Sequence, residues 1–141
     1  MSAHGQAGEG FAERLYLKEC APCHGSALKG EPGWQTVGAD GRIKAPPHDE
    51  TGHTWMHSES ELFRLVKFGQ GAAAAPGYVS PMPTYAGRLS DQDINAVLAF
   101  IASRWPPGIR AYQIMLDPGF NPERLPAGDW VLPQICQPVP K

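Results

Sequence analysis

Residues 20–24 read Cys20-Ala21-Pro22-Cys23-His24, two thiols three positions apart with an imidazole directly after the second. Such a pentapeptide constrains a chain more than any hydrophobic pattern, because three reactive side chains leave one short stretch of backbone together. A structural zinc site of this spacing needs a second ligand pair, and the only other thiol, Cys136, stands alone and far away. A redox dithiol wants its first thiol at a helix N-terminus, where the dipole acidifies it. Here the amphipathic stretch precedes Cys20, so the pair sits at the wrong end. Covalent haem attachment is the reading that fits. The two thiols add across the haem vinyl groups as thioethers, and His24 is then held under the iron as its proximal ligand.

A chain of 141 residues is one domain, large enough for a core around a large apolar group. Its formal charge of −2 offers no basic patch for nucleic acid and no polybasic membrane arm. No run approaches the roughly 18 apolar residues of a membrane span. Met1-Ser2-Ala3-His4-Gly5 has no apolar segment behind it, so no signal peptide is expected here. Haem attachment of this kind takes place outside the bacterial cytoplasmic membrane. The expected setting is therefore the periplasm, with these residues a mature or recombinantly trimmed form. With 16 glycines and 15 prolines, the chain is expected to set short helices on long, shaped loops.

Residues 1–7 read as a flexible lead-in. From Gly8 to Cys20, Phe11, Ala12, Leu15, Tyr16 and Cys20 form a helical stripe with Glu13, Arg14 and Lys18 outside it. Pro22 is expected to stop that helix. Residues 25–57 show no period and hold many Gly, Pro and His, a length of loop that needs something else to order it. Ser58-Glu59-Ser60-Glu61 is a capping box opening a helix with Leu62, Leu65 and Val66 inward, and Gly69 is its stop. Residues 71–83, with Ala72 to Ala75, Pro76, Pro81 and Pro83, read as a loop. Ser90-Asp91-Gln92-Asp93 is a weaker box before Ile94, Val97, Leu98, Phe100 and Ile101. Pro106 and Pro107 forbid that helix from continuing. Pro107 can start one or two further turns, and residues 117–141 are expected to lie extended along the domain.

In these features the chain resembles a class I c-type cytochrome, a single-haem bacterial cytochrome c, over about residues 8–105. The matching features are the first helix ending in Cys20-Ala21-Pro22-Cys23-His24-Gly25, a middle helix ending at Gly69, Pro81-Met82-Pro83 in a loop, and a last helix after Ser90. The resemblance implies an all-α fold of short helices and long loops wrapped around one covalent haem c, with residues 106–141 a proline-rich C-terminal extension. It implies a close crossing of the first and last helices, with Ala12 and Tyr16 against Val97, Phe100 and Ile101. It places Met82 as the second axial ligand. It also implies that His24 donates its other ring N–H to a proline carbonyl, Pro46 or Pro47. The exposed haem edge would be rimmed by Ala21, Pro22, Ala72 to Ala75, Pro76 and Pro81.

Met82 has support apart from the resemblance. Most methionines are flexible core fillers, but Met82 stands between two prolines, where a rigid backbone can aim a weak thioether at a metal. Met56, in a histidine-rich loop, and Met115, in the tail, are the other methionines in view, and a histidine or an open site remains open too. With both axial positions filled by protein, the iron passes single electrons and does no substrate chemistry, so the chain reads as a carrier and not an enzyme. A thioether favours Fe(II) over what a second imidazole would. Its partners would be redox proteins, for example a membrane oxidase or a periplasmic dehydrogenase, met in brief, weak encounters.

His48, His53 and His57 crowd one stretch beside Thr54, Trp55 and Met56. The segment from Pro46 to Trp55, with Arg104-Trp105-Pro106-Pro107, resembles a bacterial subset of single-haem cytochromes. Two readings compete. The histidines, Thr54 and Trp55 hydrogen-bond the haem propionates and the loop, or the imidazoles hold a second metal such as copper. Tyr85 joins Trp55 among the candidate haem-contacting residues. The functional alternatives are a haem-linked copper-binding protein and a peroxidase-like or gas-binding protein with an open sixth site. Cys136, beside Ile135, is expected to pack onto the domain.

Overall fold

The described chain holds five α-helices, with long connections on either side of the third, and no strand occurs among the described residues. The computed structural model describes residues 3–69 and 82–134, with residues 3–9 as backbone only. The expectations for Ala72 to Ala75, Pro76, Pro81, Ile135 and Cys136 lie outside those residues.

Helix α1 spans Ala3–Glu19. The expected lead-in is therefore helical from Ala3 onward, and the helix starts before Gly8. Ala12 and Tyr16, four apart, turn to the same face and are buried. Phe11, expected in that stripe, is 44% exposed, because it lies one step around the helix from Ala12. Helix α1 ends ahead of Pro22, as expected, and the proline then opens a new helix instead of a loop. A second helix, α2, runs Ala21–His24 with the proline in its first turn, where the missing N–H would have had no partner anyway.

Helix α3 (Glu59–Phe68) starts at Ser58, whose hydroxyl accepts from the Glu61 N–H at 3.2 Å. The return half of the expected box is replaced by a contact from His57 Nδ1 to Glu61 Oε1 at 3.2 Å. Helix α4 (Asp91–Ser103) carries the complete box, with Ser90 and Asp93 each accepting from the other's backbone N–H. Helix α5 covers Pro107–Leu116, longer than the one or two turns expected. Its inner face, Ala111 and Ile114, is buried, which supplies the packing that so short a helix needs.

Helices α1 and α4 meet in the larger core cluster, where Ala12 and Tyr16 share an interior with Val97, Phe100 and Ile101, as expected. The Tyr16 and Phe100 rings lie 5.3 Å apart, tilted by 42°. Leu28, Trp55 and Trp105 extend this cluster toward the loop after α2. A second cluster, Leu62, Tyr85, Ile94 and Leu98, joins α3 to the start of α4. Beyond α5 the chain returns along the domain. A Cβ on Gly108 would fall 1.9 Å from the Val131 carbonyl oxygen, so the tail lies directly on the helix there.

Candidate haem-attachment site

The turn that carries the motif is fixed from both ends. The Cys20 N–H bonds the Tyr16 carbonyl at 2.9 Å, continuing α1, and the His24 N–H bonds the Cys20 carbonyl at 2.8 Å. The Tyr16 hydroxyl, buried under α4, donates to the Gly25 carbonyl at 2.7 Å. Tyr16 therefore packs the helix crossing and also pins the residue after His24. Cys20 and Cys23 are both free thiols, Cys20 half-buried and Cys23 exposed. Burial, then the nearby Glu19 and Cys23, pushes the Cys20 thiol up to about 11. That is the reverse of the acidified first thiol of a redox pair.

His24 is buried, and its Nδ1 lies 2.9 Å from the Pro46 carbonyl oxygen. Of the two prolines expected for this bond, Pro46 makes it. Burial lowers the imidazole pKa against the opposing pull of the Pro46 bond and Glu31. A neutral ring donating from Nδ1 keeps its lone pair on Nε2, the tautomer that a metal ligand requires.

The loops around His24 are built to hold Pro46 in place. The Gly30 N–H bonds the His24 carbonyl at 2.7 Å. Gly30 has φ +73°, and a Cβ there would meet Pro47 N at 2.6 Å and the Pro46 carbonyl carbon at 2.7 Å. On the other side, a Cβ on Gly52 would meet the Pro47 carbonyl oxygen at 2.2 Å. The two prolines are thus gripped between glycines that can be nothing larger. Leu28 takes the left-handed conformation, φ 63°, and its carbonyl receives the N–H groups of His48 and Asp49. None of these three positions is marked in the sequence, where Gly30, Gly52 and Leu28 look like ordinary loop residues.

Asp49 holds the next turn. Its carboxylate accepts from the Thr51 N–H at 3.0 Å and from the Thr51 hydroxyl, and it lies 3.0 Å from the Lys29 ammonium. Burial works to raise its pKa, but the Thr51 and Lys29 interactions outweigh it and hold the carboxyl below its usual range.

The three loop histidines do not converge. His48 Nδ1 lies 2.6 Å from the Thr54 hydroxyl, His53 meets the Trp34 ring edge-on at 5.9 Å, and His57 faces Glu61. Among the described residues no three His, Cys, Asp or Glu side chains could hold a metal ion. The second-metal expectation thus finds no ligand cluster there. Trp55 is buried in the larger core, and its indole N–H donates to the Glu50 carbonyl at 3.2 Å. Of its two expected kinds of partner, a propionate and the loop, the loop takes that bond. Burial pushes His48 down to about 3, with His24 adding to the effect and Asp49 opposing it.

Met82 is 42% exposed. The chain just after it is tied down: the Tyr85 N–H bonds the Val66 carbonyl at 3.1 Å and the Ala86 N–H the Lys67 carbonyl at 3.0 Å. The Tyr85 hydroxyl donates to the Glu19 carbonyl at 2.9 Å. Three residues after Met82, then, the chain touches the residue before Cys20. Tyr85 was expected at the haem; its hydroxyl is engaged at the end of α1.

The family model described as Cytochrome c matches residues 12–105, more than half of the chain. The chain belongs to the cytochrome c family. No curated protein and no solved structure matches it. A cytochrome c carries covalently attached c-type haem and moves electrons, and the residues present fit that group. Cys20, Cys23 and His24 leave one turn, and the Nδ1 bond to Pro46 leaves Nε2 as the ring nitrogen for iron.

Proposed function

We propose that this cytochrome c is a periplasmic one-electron carrier whose single haem is attached through Cys20 and Cys23 and ligated by His24 and Met82. The observation that carries the reading is the His24 Nδ1 to Pro46 carbonyl bond of 2.9 Å. It fixes the tautomer and the ring position and makes Nε2 a stronger donor. The haem, when bound, supplies an iron couple that gains and loses one electron. Everything else is done by the chain. The thiols fix the group at two points, the Tyr16, Gly30 and Gly52 contacts hold the proximal side still, and Met82 supplies a soft sulfur on a segment tied down at Tyr85.

A rigid site suits electron transfer, since little must rearrange when the charge changes. Pro22 is exposed on α2 beside the attachment thiols, a place where a redox partner protein can approach the attached edge. No helix among the described residues is long and apolar enough to cross a membrane.

Met82→Ala tests the ligation. The variant holoprotein should keep its haem, lose the thioether-to-iron band at the red end of the oxidised spectrum, bind carbon monoxide when reduced, and fall in potential. An unchanged spectrum and potential would remove Met82 from the iron. Carbon monoxide binding by the wild type itself would favour the open-site, gas-binding alternative.

A further inference from the structure

One side chain next to His24 has no part in the function so far described. The His48 ring stacks face to face on the His24 ring, centroids 3.9 Å apart and planes 29° from parallel. His48 is itself fixed at several points. Its N–H bonds the Leu28 carbonyl at 2.9 Å, and its carbonyl accepts from the Trp105 indole N–H at 2.7 Å. Its Nδ1 and the Thr54 hydroxyl are 2.6 Å apart, and that hydroxyl also reaches the Pro47 carbonyl at 3.4 Å. The residue before it, Pro47, is the one gripped between Gly30 and Gly52.

The geometry points to His48 as a positioning residue for the proximal ligand: a flat plate, locked by Thr54, Trp105 and Leu28, that sets the plane of the His24 ring. This inference rests on His24 being the iron ligand. A bond at Nδ1 and a metal at Nε2 fix two points on the imidazole, and both lie on its rim. The Cβ–Cγ bond is a third anchor, but small changes in χ1 and χ2 still let the ring plane tilt. A stacked face prevents this, because any tilt drives ring atoms into the plate. An aliphatic side chain could fill the same volume but could not hold a plane, whereas the Thr54 contact gives the imidazole a fixed one. The orientation of an axial imidazole decides which iron d-orbital overlaps its π system. It therefore decides how unpaired spin of the ferric state is spread over the haem edge through which an electron leaves.

The four heme-methyl resonances in the proton NMR spectrum of the oxidised holoprotein read that orientation directly. Three substitutions separate the two properties of His48. His48→Phe keeps the flat face and loses the contact with Thr54. His48→Asn keeps a polar group near the Nδ1 position and loses the face. His48→Leu loses both. The methyl order should be retained in His48→Phe and altered in His48→Asn and His48→Leu, with the methionine–iron band present throughout. Thr54→Val, which removes the lock and leaves both rings in place, should behave as His48→Phe does, keeping the methyl order while the loosened plate broadens the resonances, and it gives a reading if a His48 variant fails to assemble. An unchanged pattern in His48→Asn and His48→Leu, or resonances in Thr54→Val as sharp as in the wild type, would overturn the proposal, since a merely structural His48 would lower thermal stability without moving the resonances. A pattern altered as much in His48→Phe as in His48→Leu would also overturn it. A wild-type protein whose iron is not His-ligated would be a different failure, of the ligation itself, and is visible before any variant is made.

Discussion

Gly30→Ala and Gly41→Ala make a matched pair, because both glycines hold a left-handed backbone, φ +73° and +78°. Each alanine costs about 1–2 kcal/mol for that conformation. Nothing lies within 4 Å of a Cβ at Gly41, whereas at Gly30 it would meet three backbone atoms of residues 45–47 at 2.6, 2.7 and 2.8 Å. Non-bonded carbons sit roughly 3.5–4.0 Å apart, so the Pro46 segment must retreat by about 0.5–1 Å. The His24 to Pro46 bond, 2.9 Å long, then passes the ~3.2 Å limit of good geometry. Its loss costs about 1 kcal/mol, and overpacking adds about 1–2 kcal/mol. The gap between the two variants is therefore about 2–3 kcal/mol, or roughly 5–10 °C in Tm for a chain of this size. The potential gives a second measurement. The bond pushes electron density onto the imidazole and favours Fe(III), so losing it raises the midpoint. If the bond is about 1 kcal/mol stronger in the ferric state, the rise is about 40 mV, at 59 mV and 1.4 kcal/mol per tenfold change for one electron. Thermal unfolding by circular dichroism and a potentiometric titration of the holoproteins check both numbers. Equal Tm losses in the two variants, with the potential unmoved, would refute the clamp.

Asp49→Asn should cost about 1–2 kcal/mol at pH 7 through weakened bonds to Thr51 and Lys29. The Asp49 pKa is lower in the folded protein than in the unfolded chain, so its contribution is present above the ordinary carboxylate range and disappears as pH falls through the folded value. Urea titrations should show the gap between wild type and variant closing below about pH 4, and a constant gap would contradict the shift. Tyr16→Phe removes the 2.7 Å bond to the Gly25 carbonyl and should lower stability by about 1 kcal/mol while the helix crossing keeps its ring. Measurement is by denaturant midpoint, and no change would mean that Gly25 finds another donor. Gly108→Ala places a Cβ 1.9 Å from the Val131 carbonyl oxygen and should lift the tail from α5. Limited proteolysis should then cut near residues 126–134 faster than in the wild type, with the redox potential unchanged. Equal protection would show that the tail is held elsewhere.

Local chemistry made much of this protein legible in its sequence. Cys20, Cys23 and His24 are five neighbouring residues' worth of information, and the order of thiol, thiol and imidazole already dictates the attached group. Helix starts were readable at Ser58 and Ser90, since a cap is a contact between residues three apart. The inward faces of α1 and α4 followed from helical period, and the resemblance to class I cytochromes implied the crossing at which Ala12, Tyr16, Val97 and Ile101 are buried. Contacts between distant segments carry no such local mark. Either Pro46 or Pro47 could have served His24, and only the grip of Gly30 and Gly52, 22 positions apart (52 − 30), decides in favour of Pro46. Glu61 looked like half of a capping box until His57 took its carboxylate. Nothing local marks that the Trp55 indole and the Tyr85 hydroxyl donate to the Glu50 and Glu19 carbonyls. The histidine loop shows the same limit most clearly. Three imidazoles close in sequence left two readings, bonds to propionates and the loop or a shared metal, and a loop backbone can aim neighbouring side chains in different directions. The tertiary structure sends His53 to Trp34, His57 to Glu61 and His48 onto the face of His24. Spacing along a chain determines what short, regular backbone can bring together; where an irregular loop points each side chain is decided by the surfaces it is packed against.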